Sequence, residues 1–146
     1  MNIKRIIRYF FLHLQHLPMN SVGIRPLLCK WGGVKIKSPR HTFIGEDVRF
    51  DTLYPEKILI EQGVVITAGT LILSHFVLSP KPDNKDIAVH IKEYAFIGAH
   101  TIICKPVTIG RGAIVVAGSV ITKDIPDNEI WAGNPARLIR KRPDPK

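Results

Sequence analysis

A chain of 146 residues with 45% hydrophobic side chains fits one packed domain and excludes a disordered segment. Its net charge of +9 belongs to the ends: residues 1–45 hold eight Lys/Arg and no acid, and residues 135–146 hold five against Asp144. The middle is mildly acidic, and no zinc-ligand spacing, helix-turn-helix pattern or RNA-binding aromatic motif accompanies the basic ends, so nucleic acid is not the expected partner.

In chain order, the first element is an amphipathic helix. Ile3, Ile6, Ile7, Phe10 and Leu14 fall on one stripe, Lys4, Arg5 and Arg8 lie off it, and Pro18 closes the run. Its apolar stretch is too short for a signal peptide and far short of the ~20 residues a membrane span needs. Two readings follow. Either the helix caps the open end of the fold, or residues 1–18 rest a basic rim on an anionic membrane surface carrying a lipid-linked substrate. Residues 26–31 extend into a further helical turn, which Gly32-Gly33 ends. Cys29 and Cys104 lie far apart without metal or redox spacing, which favours structural thiols in a reducing compartment; a disulfide between them stays open.

From about Val34 the pattern changes to a six-residue period. Ile91, Ile97, Ile103, Ile109, Val115 and Ile121 form an unbroken series, with Ala95, Thr101, Val107, Ala113, Ser119 and Ile125 four residues after each. The same register runs through Ile60, Ile66 and Ile72. A six-residue unit buries nothing alone, so successive units must stack around one continuous core, as in a solenoid of parallel strands. The period fails twice. The step from Ile44 to Ile60 is irregular and includes Asp51-Thr52-Leu53-Tyr54-Pro55-Glu56, and residues 76–90 form a proline-rich charged loop. These boundaries divide one domain into a helical cap (1–33), a solenoid (34–126) and an exit with a basic tail (127–146).

Four segments together carry a family resemblance: Phe96-Ile97-Gly98-Ala99-His100-Thr101-Ile102-Ile103, Val107-Thr108-Ile109-Gly110, Ala117-Gly118-Ser119-Val120-Ile121-Thr122-Lys123-Asp124-Ile125-Pro126 and Ala132-Gly133-Asn134-Pro135-Ala136-Arg137. Over roughly residues 44–140 the chain resembles the hexapeptide-repeat acyltransferases, the group that includes sugar and polysaccharide O-acetyltransferases. The resemblance implies an all-β solenoid, a left-handed parallel β-helix, here with an N-terminal amphipathic helix and a short basic tail. It also implies a homotrimer with its cleft between subunits. The left hand comes from the resemblance alone, since parallel crossovers are otherwise right-handed.

The resemblance also assigns residues. His75, after the short apolar strand Thr70-Leu71-Ile72-Leu73, matches the family's catalytic base; an imidazole, with an ordinary pKa near 6.5, suits the proton an attacking alcohol must lose. Asp51 matches a substrate-contacting position or else orients His75. Lys123, Arg137 and Arg140 match positions near the coenzyme phosphates, and Ala99, Ala117 and Thr122 positions along the pantetheine arm. Trp131 either packs beside the coenzyme or covers the last coil. Where the family often has Leu-Pro-Gly-Val this chain has Cys104-Lys105-Pro106-Val107, and Glu61 and Lys92 replace a usual glycine or aspartate, which puts local corner geometry in question.

The implied function is acetyl-CoA-dependent O-acetylation of a sugar or lipid-linked saccharide, in polysaccharide or lipopolysaccharide synthesis, at the cytoplasm or the inner face of its membrane, with no metal. The alternatives are a serine acetyltransferase, a non-enzymatic β-helix scaffold, and a γ-class carbonic anhydrase-like zinc protein. Against the last, Ala95 stands where the histidine partner of His100 would be.

Overall fold

The computed structural model describes residues 3–14, 23–75 and 86–143. Most of the loop expected at 76–90, residues 15–18 of the N-terminal segment and the last three residues lie outside the described residues.

Two helices, α1 (Ile3–Leu14) and α2 (Ile24–Trp31), precede short strands at the hexad positions. These are β1 (Lys35–Ile36), β2 (Phe43–Ile44), β3 (Arg49–Phe50), β4 (Ile58–Ile60), β5 (Val65–Ile66), β6 (Leu71–Ile72), β7 (Val89–Ile91), β8 (Phe96–Ile97), β9 (Ile102–Ile103), β10 (Val107–Ile109), β11 (Ile114–Val115) and β12 (Val120–Ile121). The chain visits three parallel sheets in rotation: β1, β4, β7 and β10 build the first, β2, β5, β8 and β11 the second, and β3, β6, β9 and β12 the third. Three hexads therefore make one coil. Ile91 pairs with Ile109 eighteen residues on, and Ile103 with Ile121.

The hexad works because each strand alternates sides, so one residue per unit points inward. Ile91, Ile97, Ile103, Ile109 and Val115 are all 0% exposed and Ile121 is 1% exposed, forming three stacked columns of branched aliphatics, one per sheet. Burying each such side chain stabilises by ~1.5–3 kcal/mol. The companion position is buried as well, and its hydroxyls hold the turns. Thr70 Oγ1 donates to the Thr67 carbonyl at 2.9 Å, Thr101 Oγ1 to Gly98 at 2.6 Å, and Ser119 Oγ to Val116 at 2.5 Å.

Two coils exceed eighteen residues. Ile36 to its partner Ile60 takes twenty-four, partly in short 3-10 turns at Pro39–His41 and Pro55–Lys57. Ile60 to its partner Ile91 takes thirty-one, with the surplus following β6. Because β3 and β6 are neighbours in the third sheet, the part of the first surplus that follows β3 and the surplus that follows β6 leave from one corner.

Both ends differ from the expected form. In the single chain the stripe of α1 is not packed: Ile3, Ile6, Ile7 and Phe10 are 64%, 41%, 48% and 59% exposed, and Leu12 is the buried residue of the helix. Leu12 seats at Gly32, where an added Cβ would lie 2.7 Å from Leu12 Cγ, and Arg8 pairs with Glu56 at 3.1 Å. These contacts anchor α1, whose residues 3–10 are all exposed. The first coil is covered instead by α2, which buries Arg25, Pro26, Leu28 and Cys29. At the other end the predicted turn-rich exit is a hairpin: β13 (Glu129–Gly133) adds in parallel to β11, and β14 (Ala136–Lys141) returns antiparallel to it. The basic tail is thus the edge strand of the second sheet, where charged side chains discourage further strand addition. Neither Cys29 nor Cys104 is in a disulfide, and burial pushes the Cys29 thiol well up.

Candidate active site

The two surplus segments meet at Asp51. Its amide donates to the Ile72 carbonyl at 2.8 Å, which fixes residue 51 beside the end of β6. The side chain, on a residue 2% exposed, has five donors. Asp51 Oδ1 accepts from the Leu53 amide at 2.8 Å and the Tyr54 amide at 3.3 Å, an Asx turn that folds residues 51–54 back on themselves. Asp51 Oδ2 accepts from the Ser74 amide at 3.0 Å, from Ser74 Oγ at 2.8 Å, and from His75 Nδ1. Ser74 Oγ lies 3.0 Å from the Tyr54 carbonyl as well, tying the two segments together.

These contacts set the protonation states. Burial pushes the Asp51 carboxyl up, but hydrogen bonds from His75, Ser74 and the amides outweigh it and hold the group below the usual aspartate range. An ionised carboxylate only accepts, so the proton shared with His75 sits on Nδ1, and in the neutral form of the ring Nε2 is an acceptor. The His75 side chain is 29% exposed, and the Tyr54 ring stands edge-on to it with centroids 5.8 Å apart. A partly open imidazole with a fixed tautomer can take a proton from a hydroxyl placed at Nε2. Of the two readings of Asp51, this geometry is that of a residue orienting His75. Ser74 and Tyr54 were missed from the sequence; adjacency to His75 and to the Asp51 turn is the signal that could have found them.

The other expected residues occupy different corners. Leu73, Cys104 and Thr122 follow paired strands of the third sheet, so Thr122 and the exposed Lys123 lie two strand spacings, roughly 10 Å, beyond the segment that ends in His75. Ala99 and Ala117 follow β8 and β11 at the exit of the second sheet. Their corner is tight: a Cβ on Gly98 would stand 2.4 Å from the Ala117 amide nitrogen. Arg137 and Arg140 are exposed on β14, opposite Ala132 and Ile130. Trp131 packs against the core and donates Nε1–H to Glu129 Oε2 at 2.8 Å. Among the described residues no three His, Cys, Asp or Glu side chains converge as metal ligands; His90 Nε2 instead meets Glu61 Oε1 at 3.0 Å.

Comparison with known proteins matches residues 88–123 to the family model described as bacterial transferase hexapeptide (six repeats). The putative acetyltransferase YvoF of Bacillus subtilis is 36% identical over 106 residues, 73% of this chain and 60% of that protein. Serine acetyltransferase 2 of Arabidopsis thaliana is 38% identical over 98 residues, 66% of this chain and 30% of that one. The chain thus spans less than two-thirds of the length of these curated relatives. Among solved structures, the hexapeptide-repeat acetyltransferase VCA0836 of Vibrio cholerae, complexed with acetyl coenzyme A, superposes with a TM-score of 0.74 at 23% identity, covering 97% of this chain and 88% of that one. A galactoside acetyltransferase in complex with coenzyme A gives 0.61 at 23% identity, covering 97% and 82%. At such identities the likeness is one of fold.

Proposed function

We propose, from the premise that this chain belongs to the hexapeptide-repeat acyltransferase family, that it transfers an acetyl group from acetyl-CoA to a sugar hydroxyl, with His75 as general base. The observation that carries the reading is the buried Asp51 carboxylate on His75 Nδ1, beside an open corner of the coil. His75 Nε2 takes the hydroxyl proton as the oxygen attacks the acetyl carbonyl. The tetrahedral intermediate collapses, the carbon–sulfur bond breaks, and the departing thiolate recovers the proton from the imidazolium, giving CoA and the acetyl ester. No net redox change or metal is needed.

In this reading the coil is left-handed, the unit is a trimer, and the coenzyme runs past Ala99, Ala117 and Thr122 with its phosphates near Lys123, Arg137 and Arg140. What supports a coenzyme site on this fold is that two relatives in fold are complexed with acetyl coenzyme A or coenzyme A. The division into residues 1–33, 34–126 and 127–146 then separates cap, wall and coenzyme-side exit. The acceptor is a saccharide of polysaccharide or lipopolysaccharide synthesis, met at the inner face of the membrane, where the exposed stripe of α1 would lie against lipid. No helix among the described residues is long and apolar enough to cross a membrane. The serine acetyltransferase likeness keeps L-serine as the second acceptor to be tried.

The test is acetyl-CoA turnover against free, nucleotide-linked and lipid-linked sugars and L-serine, with His75→Ala alongside. Transfer to a saccharide that falls at least 100-fold in the folded variant is the expected result. Near wild-type transfer by His75→Ala would sink the mechanism, and transfer to L-serine alone would replace the acceptor.

A further inference from the structure

Between α1 and the segment after β3 lies a cavity of about 320 Å³ lined by Lys4, Arg5, Arg8, Leu53, Tyr54 and Glu56. Its volume falls at the lower end of the range for small-molecule sites. Three facts make it more than a surface dimple. The helix that supplies its cations is anchored to the rest of the chain by Leu12 at Gly32 and by Arg8 on Glu56. The opposite wall is built on the same carboxylate that holds His75, because Asp51 Oδ1 receives the amides of Leu53 and Tyr54. Finally, Tyr54 belongs both to the cavity lining and to the His75 site, its ring T-shaped to the imidazole at 5.8 Å between centroids.

We infer that this cavity is the anion subsite of the acceptor and that the acceptor carries a phosphate. The inference rests on the acetyl-transfer reading for its role, and on the cavity alone for its chemistry. The lining holds three cations and one carboxylate. A phosphate monoester carries roughly −1.5 to −2 charges at neutral pH and offers three acceptor oxygens, which answers that surplus. A lone carboxylate answers only half of it. The two guanidinium groups suit phosphate because their planar forks bind two oxygens at once. The Tyr54 ring, shared by the cavity and the His75 site and with Lys57 Nζ 5.6 Å from its centroid, would pack beside the sugar, with the phosphate among Lys4, Arg5 and Arg8 and a hydroxyl toward Nε2. The proton and acetyl movements are those already given; the phosphate is held and not transferred.

The experiment uses the full chain and reads binding and turnover separately. Calorimetry compares glucose 1-phosphate with glucose, and cosedimentation compares vesicles containing phosphatidic acid with neutral ones. Each is repeated with Lys4→Gln/Arg5→Gln, which spares the Arg8–Glu56 pair, and circular dichroism checks that α1 and the coils persist. The expected result is a preference of at least tenfold for a phosphate-bearing probe that falls to within twofold in the double variant and weakens with salt, while the KM for acetyl-CoA is unchanged. Whether the soluble or the vesicle probe responds identifies the phosphate as free or lipid-borne. Binding of neither probe, a preference that survives the double substitution, or a raised KM for acetyl-CoA in its place would overturn the assignment. Phosphate binding that behaves as expected without acetyl transfer to any acceptor would leave the subsite standing and reject the transferase reading instead.

Discussion

Replacing Asp51 by Asn changes one atom and leaves the volume of the site intact. Asn Oδ1 still accepts the Leu53 and Tyr54 amides, so the Asx turn survives. The new amide nitrogen then faces the Ser74 amide, the Ser74 hydroxyl and His75 Nδ1, all of which donate to Oδ2 in the native site. The Ser74 amide, on a residue 3% exposed, loses its acceptor, which costs about 1–3 kcal/mol of stability. His75 relieves its own clash by moving its proton to Nε2, so that Nδ1 accepts from the Asn. That places a proton where the base must be empty, and catalysis should lose most of the 10²–10⁴-fold, or roughly 2.7–5.4 kcal/mol, that a positioned base contributes. The assay is steady-state acetyl-CoA turnover for wild type and Asp51→Asn, with urea unfolding to measure the stability loss. A kcat reduced by at least 100-fold with KM for acetyl-CoA little changed is expected. A folded Asp51→Asn protein with kcat within threefold of wild type would refute the tautomer argument and leave Asp51 as a turn-holding residue.

Ile97→Ala should destabilise the chain by ~2–5 kcal/mol, because its side chain is 0% exposed in its column; Ile102→Ala, at a residue 37% exposed, should cost much less, and denaturant midpoints compare the two. Arg137→Ala with Arg140→Ala should raise KM for acetyl-CoA about tenfold while 3′-dephospho-CoA responds less, as measured by initial rates. In Glu61, burial raises the carboxyl pKa, but hydrogen bonds from Lys37 and His90 outweigh it and hold it below the usual range, as Asp51 is held by its own donors. A lowered folded-state pKa gives stability that is present above the ordinary carboxylate range and lost as pH falls through the folded value. Stability should therefore drop below about pH 4, and Glu61→Gln should flatten that acid limb in thermal melts taken across pH.

The sequence disclosed the coil more fully than the site or the ends. The buried columns can be read from Ile91, Ile97, Ile103 and Ile109 because the inward position admits little besides branched aliphatics, whatever surrounds it. The stripe on α1 has an equally clear period, yet it stays exposed in the folded chain. Periodicity shows that an apolar face exists, and a seat for Leu12 at Gly32 and an ion pair from Arg8 to Glu56 decide which face docks. The exit strand β14 escaped because Arg137, Arg140 and Lys141 read as a solvated tail until β13 offers them a hydrogen-bonding edge.

The residues of the candidate site divide in the same way. His75 and Asp51 stand out by resemblance, but their separation of twenty-four positions leaves open whether they touch, since contact depends on how two irregular coils stack. The hexad by itself determined a parallel solenoid with branched aliphatics inside, because each six-residue unit meets the same local constraint. Only the tertiary structure brought the segments after β3 and β6 to one corner of the third sheet, set Asp51 on His75, and gathered three cations and Tyr54 around one cavity. Those are relations between coils and across the cap, fixed by long-range packing that no local period encodes.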